Sequence, residues 1–300
     1  MQIFNSSLIG IVTVLYNSDE VLPDFFSSLA LQNDIYFKLY VIDNSPNDSG
    51  STLAREYANK LKLNVEIIFN NENYGVAKGN NQGIELATKD NCDFILLANN
   101  DIKFNKGTIS SLLSSLNDEI SAATPKIYYH KPNNLIWYAG GNLNLWTMRS
   151  PHRGINKYDL GQFDKKIVVG YGPTCFMLFK VTVFKNIGIM DEKYFVYYDD
   201  TDFLFRMRKK NIKLMYVPES IIEHKVSSST GGKLSSFTTY YTTRNRIYFA
   251  RKNLSYINKI ITIPYILITR LFFVILNPLH LAKYVFKGIL DGFKIKLIKN

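Results

Sequence analysis

The chain has 300 residues, which is enough for one large domain or for one domain with an appendage. Its composition, 46% hydrophobic and 20% charged, excludes an intrinsically disordered protein. Cys92 and Cys175, the two cysteines, are too few for a disulfide scaffold and favour a reduced cytosolic compartment. The net charge of +11 is uneven, because residues 1–224 are close to neutral whereas residues 225–300 hold 13 basic residues and one acid, Asp291. A basic segment of this kind favours an anionic partner.

The first half of the chain alternates apolar runs with helical patterns. The runs predict buried parallel strands at 8–15, 38–43, 64–69 and 93–98. Helices are predicted between them at 19–32, 51–62 and 77–88, with Asp19 and Ser51 as N-caps. This alternation predicts an α/β fold with a mainly parallel central sheet and helices on both faces. Ligands bind at the carboxyl ends of such strands, so the polar segments after each strand are expected to form the site.

The second half is less regular. A hairpin is predicted in the Gly- and Asn-rich stretch 134–146, a polar loop over the site at 147–166, and one strand at 167–180. The remaining predictions are a helix at 200–210, a strand at 212–217, a mobile loop at 227–236 and a helix at 237–253.

Two strand ends carry candidate ligand-binding acids. Asp43 closes a strand and suits a hydrogen bond from a nucleotide base or ribose, although an Asp there also caps turns. The triplet 99–101, Asn-Asn-Asp, places a carboxylate beside amides, which suits a hard divalent cation holding phosphate oxygens. An isolated triplet of this type is more often a simple turn.

The segment 73–83 has glycines four residues apart at the start of a helix, which lets its backbone approach a ligand or another element closely. It matches neither the dinucleotide fingerprint nor a phosphate-binding P-loop. A glycine-packed helix start is the alternative.

Residues 197–202 place three carboxylates within four positions. Crowded carboxylates raise at least one pKa, which suits a general base, although an acidic helix N-terminus has the same composition. His224, after a short strand, could complete a metal site, but a lone histidine is more often structural.

Taken together, these motifs resemble glycosyltransferase family 2 and its GT-A fold, and most of all the bacterial rhamnosyltransferase and galactofuranosyltransferase branch. The resemblance covers about residues 8–255. It is carried by VTVLYN at 12–17, VIDNS at 41–45, NYGVAKGNNQG at 73–83 and LANND at 97–101. Further matching segments lie at 176–180, 188–192, 195–206, 240–241 and 244–245.

The resemblance implies a role for each matching residue. Asp43 would contact the base or ribose. The other nucleotide- and donor-binding positions would be Tyr16, Asn17, Asn73, Gly75, Lys78, Asn80, Asn99 and Asn100. Asp101 matches the last acid of the family's metal motif, in which Asn99 replaces the first acid. Asp101 and His224 would therefore hold Mg²⁺ or Mn²⁺ together with the donor diphosphate.

The implied reaction is an inverting transfer of a sugar, with rhamnose as one candidate, from a dTDP- or UDP-sugar. Asp200 would act as general base, and Asp199 would orient the acceptor or tune the pKa of that base. The acceptor, a glycan or lipid-linked glycan of a surface polysaccharide, would lie against Trp137, Gly140, Gly141 and Tyr198. Ordinary packing is the alternative role of each of these four residues.

The predicted domains are a catalytic domain at 1–255, with a nucleotide-sugar half at 1–119 and an acceptor half at 120–255, and a tail at 256–300. The tail interleaves lysines with aliphatic residues, which indicates amphipathic helices on an anionic membrane, broken at Pro264 and Pro278. Arg270 splits its uncharged runs, so each is expected to be too short to span.

No signal peptide is recognised. The resemblance, together with the tail, implies a cytoplasmic enzyme that is peripheral on the cytoplasmic face of the bacterial plasma or inner membrane. The tail could instead pack on the body with solvated lysines. Two other classes of protein were weighed: a non-catalytic nucleotide-sugar-binding or membrane scaffold protein, and a nucleic-acid-binding protein. The aliphatic residues of the tail disfavour nucleic acid as a partner, and none is predicted.

Overall fold

The computed structural model describes residues 7–225 and 234–297. Its first half alternates strands and helices as predicted. The strands are β1 (Leu8–Leu15), β2 (Tyr36–Asp43), β3 (Val65–Phe69) and β4 (Phe94–Ala98). The helices are α1 (Leu22–Ala30), α2 (Ser49–Leu61) and α3 (Gly75–Lys89).

The predicted helix caps are wrong. Val21 occupies the N-cap of α1 and Asp48 that of α2, and neither side chain forms a capping hydrogen bond. Helix α1 starts later than predicted, with proline in its first turn, where a missing N–H costs nothing. The Ser51 hydroxyl lies inside α2 and donates to Asp43 (2.7 Å), so it serves the end of β2 rather than a helix terminus.

The four strands are parallel in the order β3–β2–β1–β4. Helix α3 lies very close to β1, because a Cβ atom added at Gly83 would be 2.2 Å from a methyl group of Val12. This close packing brings the N-terminus of α3 to the carboxyl edge of the sheet, where β1 and β4 end.

The second half extends the same sheet. It contains β5 (Ile102–Phe104), β6 (Ile120–Tyr129), β7 (Ile136–Tyr138), β8 (Ile167–Val169), β9 (Phe176–Lys180) and β10 (Lys213–His224). Its helices are α4 (Thr108–Leu113), α5 (Val181–Ile187), α6 (Asp199–Lys209) and α7 (Ser236–Asn253). The strand order continues β4–β9–β6–β10–β5, with β9 antiparallel to both neighbours and β6 parallel to β10. The α/β fold with a mixed, mostly parallel central sheet agrees with the prediction.

Two predictions in this half need correction. The stretch predicted as one strand at 167–180 forms β8 and β9, because the Gly- and Pro-containing residues between them leave the sheet. The hairpin predicted within 134–146 pairs instead with the preceding strand, since β7 is antiparallel to β6. The loop predicted at 227–236 lies mostly outside the described residues.

Two helices follow the sheet, α8 (Tyr256–Leu276) and α9 (Ala282–Lys294). Pro264 lies inside α8, so the predicted helix break there is wrong. Proline has no N–H, so the Ile260 carbonyl loses its helical hydrogen-bond donor. Both residues are on the exposed side of α8. The break at Pro278 is confirmed, because α8 ends at Leu276. Helix α8 has 21 residues and a mean hydropathy of 2.0, so by length and composition it could cross a membrane, contrary to expectation.

Helix α9 packs on α7 rather than standing free. A Cβ atom at Gly292 would lie 2.7 Å from the Arg244 carbonyl, so the two helices touch at their backbones. Asp291, the single acid of the basic segment, accepts a hydrogen bond from the Tyr240 hydroxyl (2.7 Å). The apolar face of α9 that the sequence suggested for a membrane therefore belongs to the protein body.

Candidate active site

A cavity of about 450 Å³ opens at the carboxyl edge of the sheet, where parallel sheets bind ligands. Its wall is formed by the ends of β1 and β4, the start of α3 and the segment before α6. Eight residues predicted to bind nucleotide, donor or metal line it: Tyr16, Asn17, Asn73, Gly75, Asn80, Asn99, Asn100 and Asp101. The structure therefore brings together residues that are up to 85 positions apart in the sequence.

Hydrogen bonds fix several of these residues. The Asn17 N–H donates to the Ser45 hydroxyl (3.0 Å), and Asn17 has a left-handed backbone conformation with φ +49°. The Asn100 amide donates to the Val14 carbonyl (2.8 Å), joining the ends of β4 and β1. The cavity wall is thus largely pre-formed, with amide groups as its main polar surface.

Asp43 and Lys78, two predicted donor-binding residues, are not among the residues that line the cavity. The Asp43 carboxylate is buried and accepts hydrogen bonds from the Ser51 hydroxyl and the Ser45 N–H (2.7 and 3.0 Å). In this arrangement it supports the loop that carries Asn17. The Lys78 ammonium lies 3.6 Å from the centroid of the Tyr74 ring.

Asp101 and His224 meet at one side of the cavity. The Asp101 Oδ1 and His224 Nε2 atoms are 3.1 Å apart, and both side chains are nearly buried. Burial raises the pKa of Asp101, but the charge and hydrogen bond of His224, together with hydrogen bonds from the backbone and Asn99, hold that pKa below its ordinary value. Across the described residues, no group of three or more His, Cys, Asp or Glu side chains forms a metal cluster. Among the described residues, Asp101 and His224 are therefore the predicted metal ligands that the structure brings together.

The acidic run at the start of α6 divides into two parts. Asp202 is buried in a charge network, because its carboxylate contacts Arg206 (2.9 Å) and Lys252 (2.9 Å). Asp199 and Asp200 remain without a basic partner among the described residues. Asp202 is thus a structural residue, and the adjacent pair is available for chemistry.

Burial raises the pKa of both carboxyl groups of this pair, and the charge of Asp200 raises that of Asp199 further. Asp200 is half-buried and accepts hydrogen bonds from the hydroxyls of Tyr171 (2.8 Å) and Thr201 (3.1 Å). Asp199 is 4% exposed. Because hydrogen-bond donors favour the ionised form, the shared proton belongs on Asp199 and the negative charge on Asp200.

A row of side chains connects the two acidic centres. Tyr171, which donates to Asp200, stacks on His152 (6.0 Å between centroids). Trp137 then lies edge-on between His152 (4.6 Å) and His224 (4.7 Å). The Asp101–His224 pair and the Asp199–Asp200 pair are therefore neighbours within one packed unit. In agreement, Asp101 and Asp200 both raise the pKa of the Cys175 thiol, after the larger effect of its burial.

The segment before α6 has an unusual backbone. Phe195, Tyr197 and Tyr198 all have positive φ values (66°, 62° and 66°), which is rare for residues other than glycine. Asn245 of α7 is fully buried, and its amide donates to three carbonyls of this segment, at 194, 196 and 197 (2.7–2.9 Å). Asn245 thereby fixes the point from which α6 and its acids begin.

The predicted acceptor residues are held by the protein itself. Trp137 packs between the two histidines, and the Gly141 carbonyl accepts hydrogen bonds from the N–H groups at 170 and 171 (3.1 and 3.0 Å). Gly140 has φ +101°, which a side chain would disfavour. The Tyr198 hydroxyl donates to the Met148 carbonyl (2.7 Å). None of the four lines the cavity.

Sequence reasoning missed several residues of the site. Val196 and Phe237 line the cavity and had no predicted role, and Phe195, which lies in a segment matched to the family, lines it as well. Gly75 approaches so closely that an added Cβ atom would lie 2.5 Å from the Phe195 carbonyl oxygen. Tyr171 and His152 were also missed. Tyr171 lies in a Gly-Tyr-Gly-Pro run that could have been recognised as a turn rather than as strand.

Solved structures share this architecture. GalNAc-T7 with UDP, GalNAc and Mn²⁺ superimposes with a TM-score of 0.63 at 15% identity, over 84% of this chain and 51% of that one. This chain therefore spans about half the length of that structure. The mannosyltransferase PcManGT of Pyrobaculum calidifontis, in complex with GDP-Man and Mn²⁺, gives a TM-score of 0.58 at 10% identity, over 99% and 77% of the two chains. The fold is that of GT-A-like nucleotide-sugar transferases.

Two curated proteins are similar in sequence. The low-salt glycan biosynthesis hexosyltransferase Agl10 of Haloferax volcanii is 26% identical, over 79% of this chain and 74% of its own length. The N-acetylglucosaminyl-diphospho-decaprenol L-rhamnosyltransferase of Mycobacterium tuberculosis is 22% identical, over 75% and 78% of the two chains. Residues 10–188 match the family described as Glycosyl transferase family 2. The chain belongs to this family, and it is a nucleotide-sugar glycosyltransferase.

Proposed function

We propose that this enzyme transfers a sugar, with inversion, from a dTDP- or UDP-sugar to a lipid-linked or growing surface-polysaccharide acceptor. The observation that carries this proposal is the position of the acid pair. The amide-lined cavity ends at Phe195 and Val196, and the strained segment that begins there leads directly into Asp199 and Asp200. The similarity to a rhamnosyltransferase acting on a diphospho-decaprenol acceptor supports rhamnose as one candidate sugar.

Asp200 is the proposed general base. It removes the proton from an acceptor hydroxyl while that oxygen attacks the anomeric carbon, and the nucleoside diphosphate leaves from the opposite face. One displacement inverts the configuration, so no second carboxylate is needed as nucleophile. Asp199, which retains its proton, keeps the adjacent negative charge on Asp200.

The side chains at the edge of the cavity suit a divalent cation. A carboxylate and an imidazole, from Asp101 and His224, accept Mn²⁺ or Mg²⁺ when diphosphate oxygens and water complete the ligand set. Mn²⁺ is present in both structural neighbours described above. When bound, such an ion would offset the negative charge of the departing diphosphate.

The C-terminal helices support a peripheral position on a membrane, and the proposed location is its cytoplasmic face. Of the residues in α8, only Thr262 and Ile266 are buried, whereas a band of Ile, Leu and Phe side chains is exposed. One face of α8 packs on the body, which favours a helix lying along an anionic membrane surface over one that crosses it.

A donor screen tests the proposed reaction. The full chain is incubated with dTDP-rhamnose, UDP-galactose or UDP-galactofuranose and with Mn²⁺ or Mg²⁺, and donor hydrolysis and melting temperature are recorded. One donor should be hydrolysed slowly and should raise the melting temperature. Binding without hydrolysis or transfer to any acceptor would instead favour a non-catalytic nucleotide-sugar-binding protein.

The substitution Asp200→Asn tests the base. It should lower kcat by about 10²–10⁴-fold, the usual contribution of a general base, with little change in donor affinity. Asp118→Asn is the matched control, because Asp118 is an exposed aspartate outside the site. Near-wild-type turnover of the Asp200 variant would assign the base elsewhere.

A further inference from the structure

Three arginines from different parts of the chain are brought together near Tyr198. Arg246 donates to the Thr147 carbonyl and to the hydroxyl of Thr269, which precedes Arg270. The Tyr198 hydroxyl donates to the Met148 carbonyl, next to Arg149. Arg149 lies in the loop after β7, Arg246 lies on α7 and Arg270 lies on α8. The charges of all three act on the Tyr198 side chain. Arg149 is exposed, Arg270 is half-buried and Arg246 is 2% exposed, so this arginine cluster extends from the surface into the protein.

Within the described residues, no carboxylate pairs with the cluster, although the charge of Asp200 acts on the same Tyr198 side chain. None of the three arginines forms an ion pair within residues 7–225 and 234–297, where ion pairs of other residues are found. The remaining segments, 1–6, 226–233 and 298–300, contain no Asp or Glu at all. The buried Nε atoms of Arg246 and Arg270 have no hydrogen-bond partner among the described residues.

The contacts that the cluster does make are neutral. Arg246 donates to the Thr147 carbonyl and to the Thr269 hydroxyl (3.5 Å), and lies 5.7 Å from the centroid of the Tyr265 ring. Burial, and then the charge of Arg149, lower the pKa of Arg246. Guanidinium groups nevertheless stay protonated in proteins. A buried guanidinium beside two further guanidinium groups and without a counter-ion is costly, which indicates that an anion completes this site.

The position of the cluster limits what that anion can be. Tyr198 is the N-cap of α6, so the cluster adjoins the proposed general base, Asp200, on the acceptor side. Arg270 belongs to α8, whose other side presents exposed apolar residues such as Leu271 and Phe272. An anion held here would lie between an acceptor hydroxyl at Asp200 and a lipid chain packed against α8.

We propose that Arg149, Arg246 and Arg270 bind the phosphate or diphosphate group that joins the acceptor sugar to its lipid. Guanidinium groups bind phosphate oxygens in pairs of parallel hydrogen bonds, so three of them suit a diphosphate. The assignment rests on the proposed function, because it names the acceptor of the same active site. It makes the arginine cluster the acceptor-headgroup site and separates it from the donor cavity at Asp101.

Binding of farnesyl diphosphate to the full chain tests this assignment. Calorimetric titration in EDTA avoids metal-dependent binding at the donor cavity. Arg149→Gln and Arg270→Gln should each weaken binding about tenfold or more, the usual effect of losing a hydrogen bond between charged groups. Lys283→Gln is the matched control, because it removes one positive charge from an exposed position on α9 and should change binding less than about twofold.

Any of the following results would overturn the assignment. Failure of farnesyl diphosphate to bind, or binding unaffected by both arginine substitutions at unchanged melting temperature, would overturn the assignment. Inorganic pyrophosphate bound as tightly, with the same arginine dependence, would indicate a free-phosphate site and overturn the lipid acceptor. Equally tight binding of farnesol would exclude recognition of phosphate.

The donor-hydrolysis assay separates this inference from the proposed function. Donor hydrolysis without arginine-dependent farnesyl diphosphate binding would remove the headgroup site only. Arginine-dependent binding without hydrolysis of any donor would leave the headgroup site in place and remove the proposed reaction.

Discussion

The parallel half of the sheet and the C-terminal helices distribute polarity in opposite ways. In strands β1–β4 the buried side chains are apolar except for Thr13 and Asp43, and most polar groups gather where the strands end. In α7 and α8 a guanidinium is buried, at Arg246, and large apolar side chains face outward. The first arrangement is complete in water, whereas under the proposals above the second is completed by a membrane outside and an anion within. On these proposals the donor side stands alone and the acceptor side is completed by its substrate.

The largest expected effect is on membrane binding. Phe272 and Ile275 are 59% and 69% exposed and lie three residues apart on α8. Each side chain buried in lipid contributes about 1.5–3 kcal/mol, so the double substitution to serine should reduce partitioning into anionic vesicles at least about a hundredfold. Vesicle flotation measures this.

The matched control replaces Leu160 and Val168, two exposed apolar residues outside α8, by serine. Their loss should leave flotation unchanged. Equal flotation of wild type and the α8 variant would show that the apolar exterior does not serve a membrane.

The next effect is on folding stability and concerns the donor side. Gly83→Ala places a methyl group against Val12 and should lower the free energy of unfolding by about 1–3 kcal/mol. Urea denaturation measures the change, with Glu85→Ala, at an exposed position of the same helix, as control. A stability equal to wild type would mean that α3 can move away from β1.

The smallest effect concerns the pH dependence of turnover. The Tyr171 hydroxyl stabilises the Asp200 carboxylate, so Tyr171→Phe should raise the pKa of Asp200 further. A base works only when ionised; the acid limb of the kcat profile should therefore move to higher pH. Turnover should fall up to about tenfold on that limb and recover above it.

Tyr158→Phe, at an exposed tyrosine, is the control for this measurement. A uniform loss of kcat at every pH, with no displaced limb, would assign Tyr171 a purely structural role. It would also weaken the view that the two acidic centres act within one packed unit.

The sequence predicted the donor side better than the acceptor side, because the donor side is built from patterns that are local in the sequence. Parallel strands buried on both faces are continuous apolar runs, so β1–β4 and the polar residues after them could be recognised. The acceptor side depends on contacts distant in sequence, such as Asn245 with the segment 194–197, which no local pattern reveals. The arginine cluster was missed for the same reason, because its members are 97 and 24 positions apart.

Individual errors have similar causes. Ser51 looked like a helix cap, but its hydroxyl is used by Asp43, across the α2–β2 contact. Pro264 looked like a helix break, but a helix that exposes the affected turn tolerates it. The tail looked like amphipathic helices on a membrane, but one face of α9 is covered by α7, which contacts Gly288 and Gly292. In each case a tertiary partner decided the role of a correctly recognised local feature.

The positive φ angles of Phe195, Tyr197 and Tyr198 determine how much of the chain an active fragment must contain. Such a conformation costs about 1–3 kcal/mol per residue and persists only when its surroundings enforce it. Here Asn245 supplies that enforcement from α7, so a fragment cut after β10 would release Asp199 and Asp200 from their positions. The shortest active fragment should therefore extend through Asn253. Exchanging α7–α9 between relatives would transfer the placement of the acids together with the choice of acceptor.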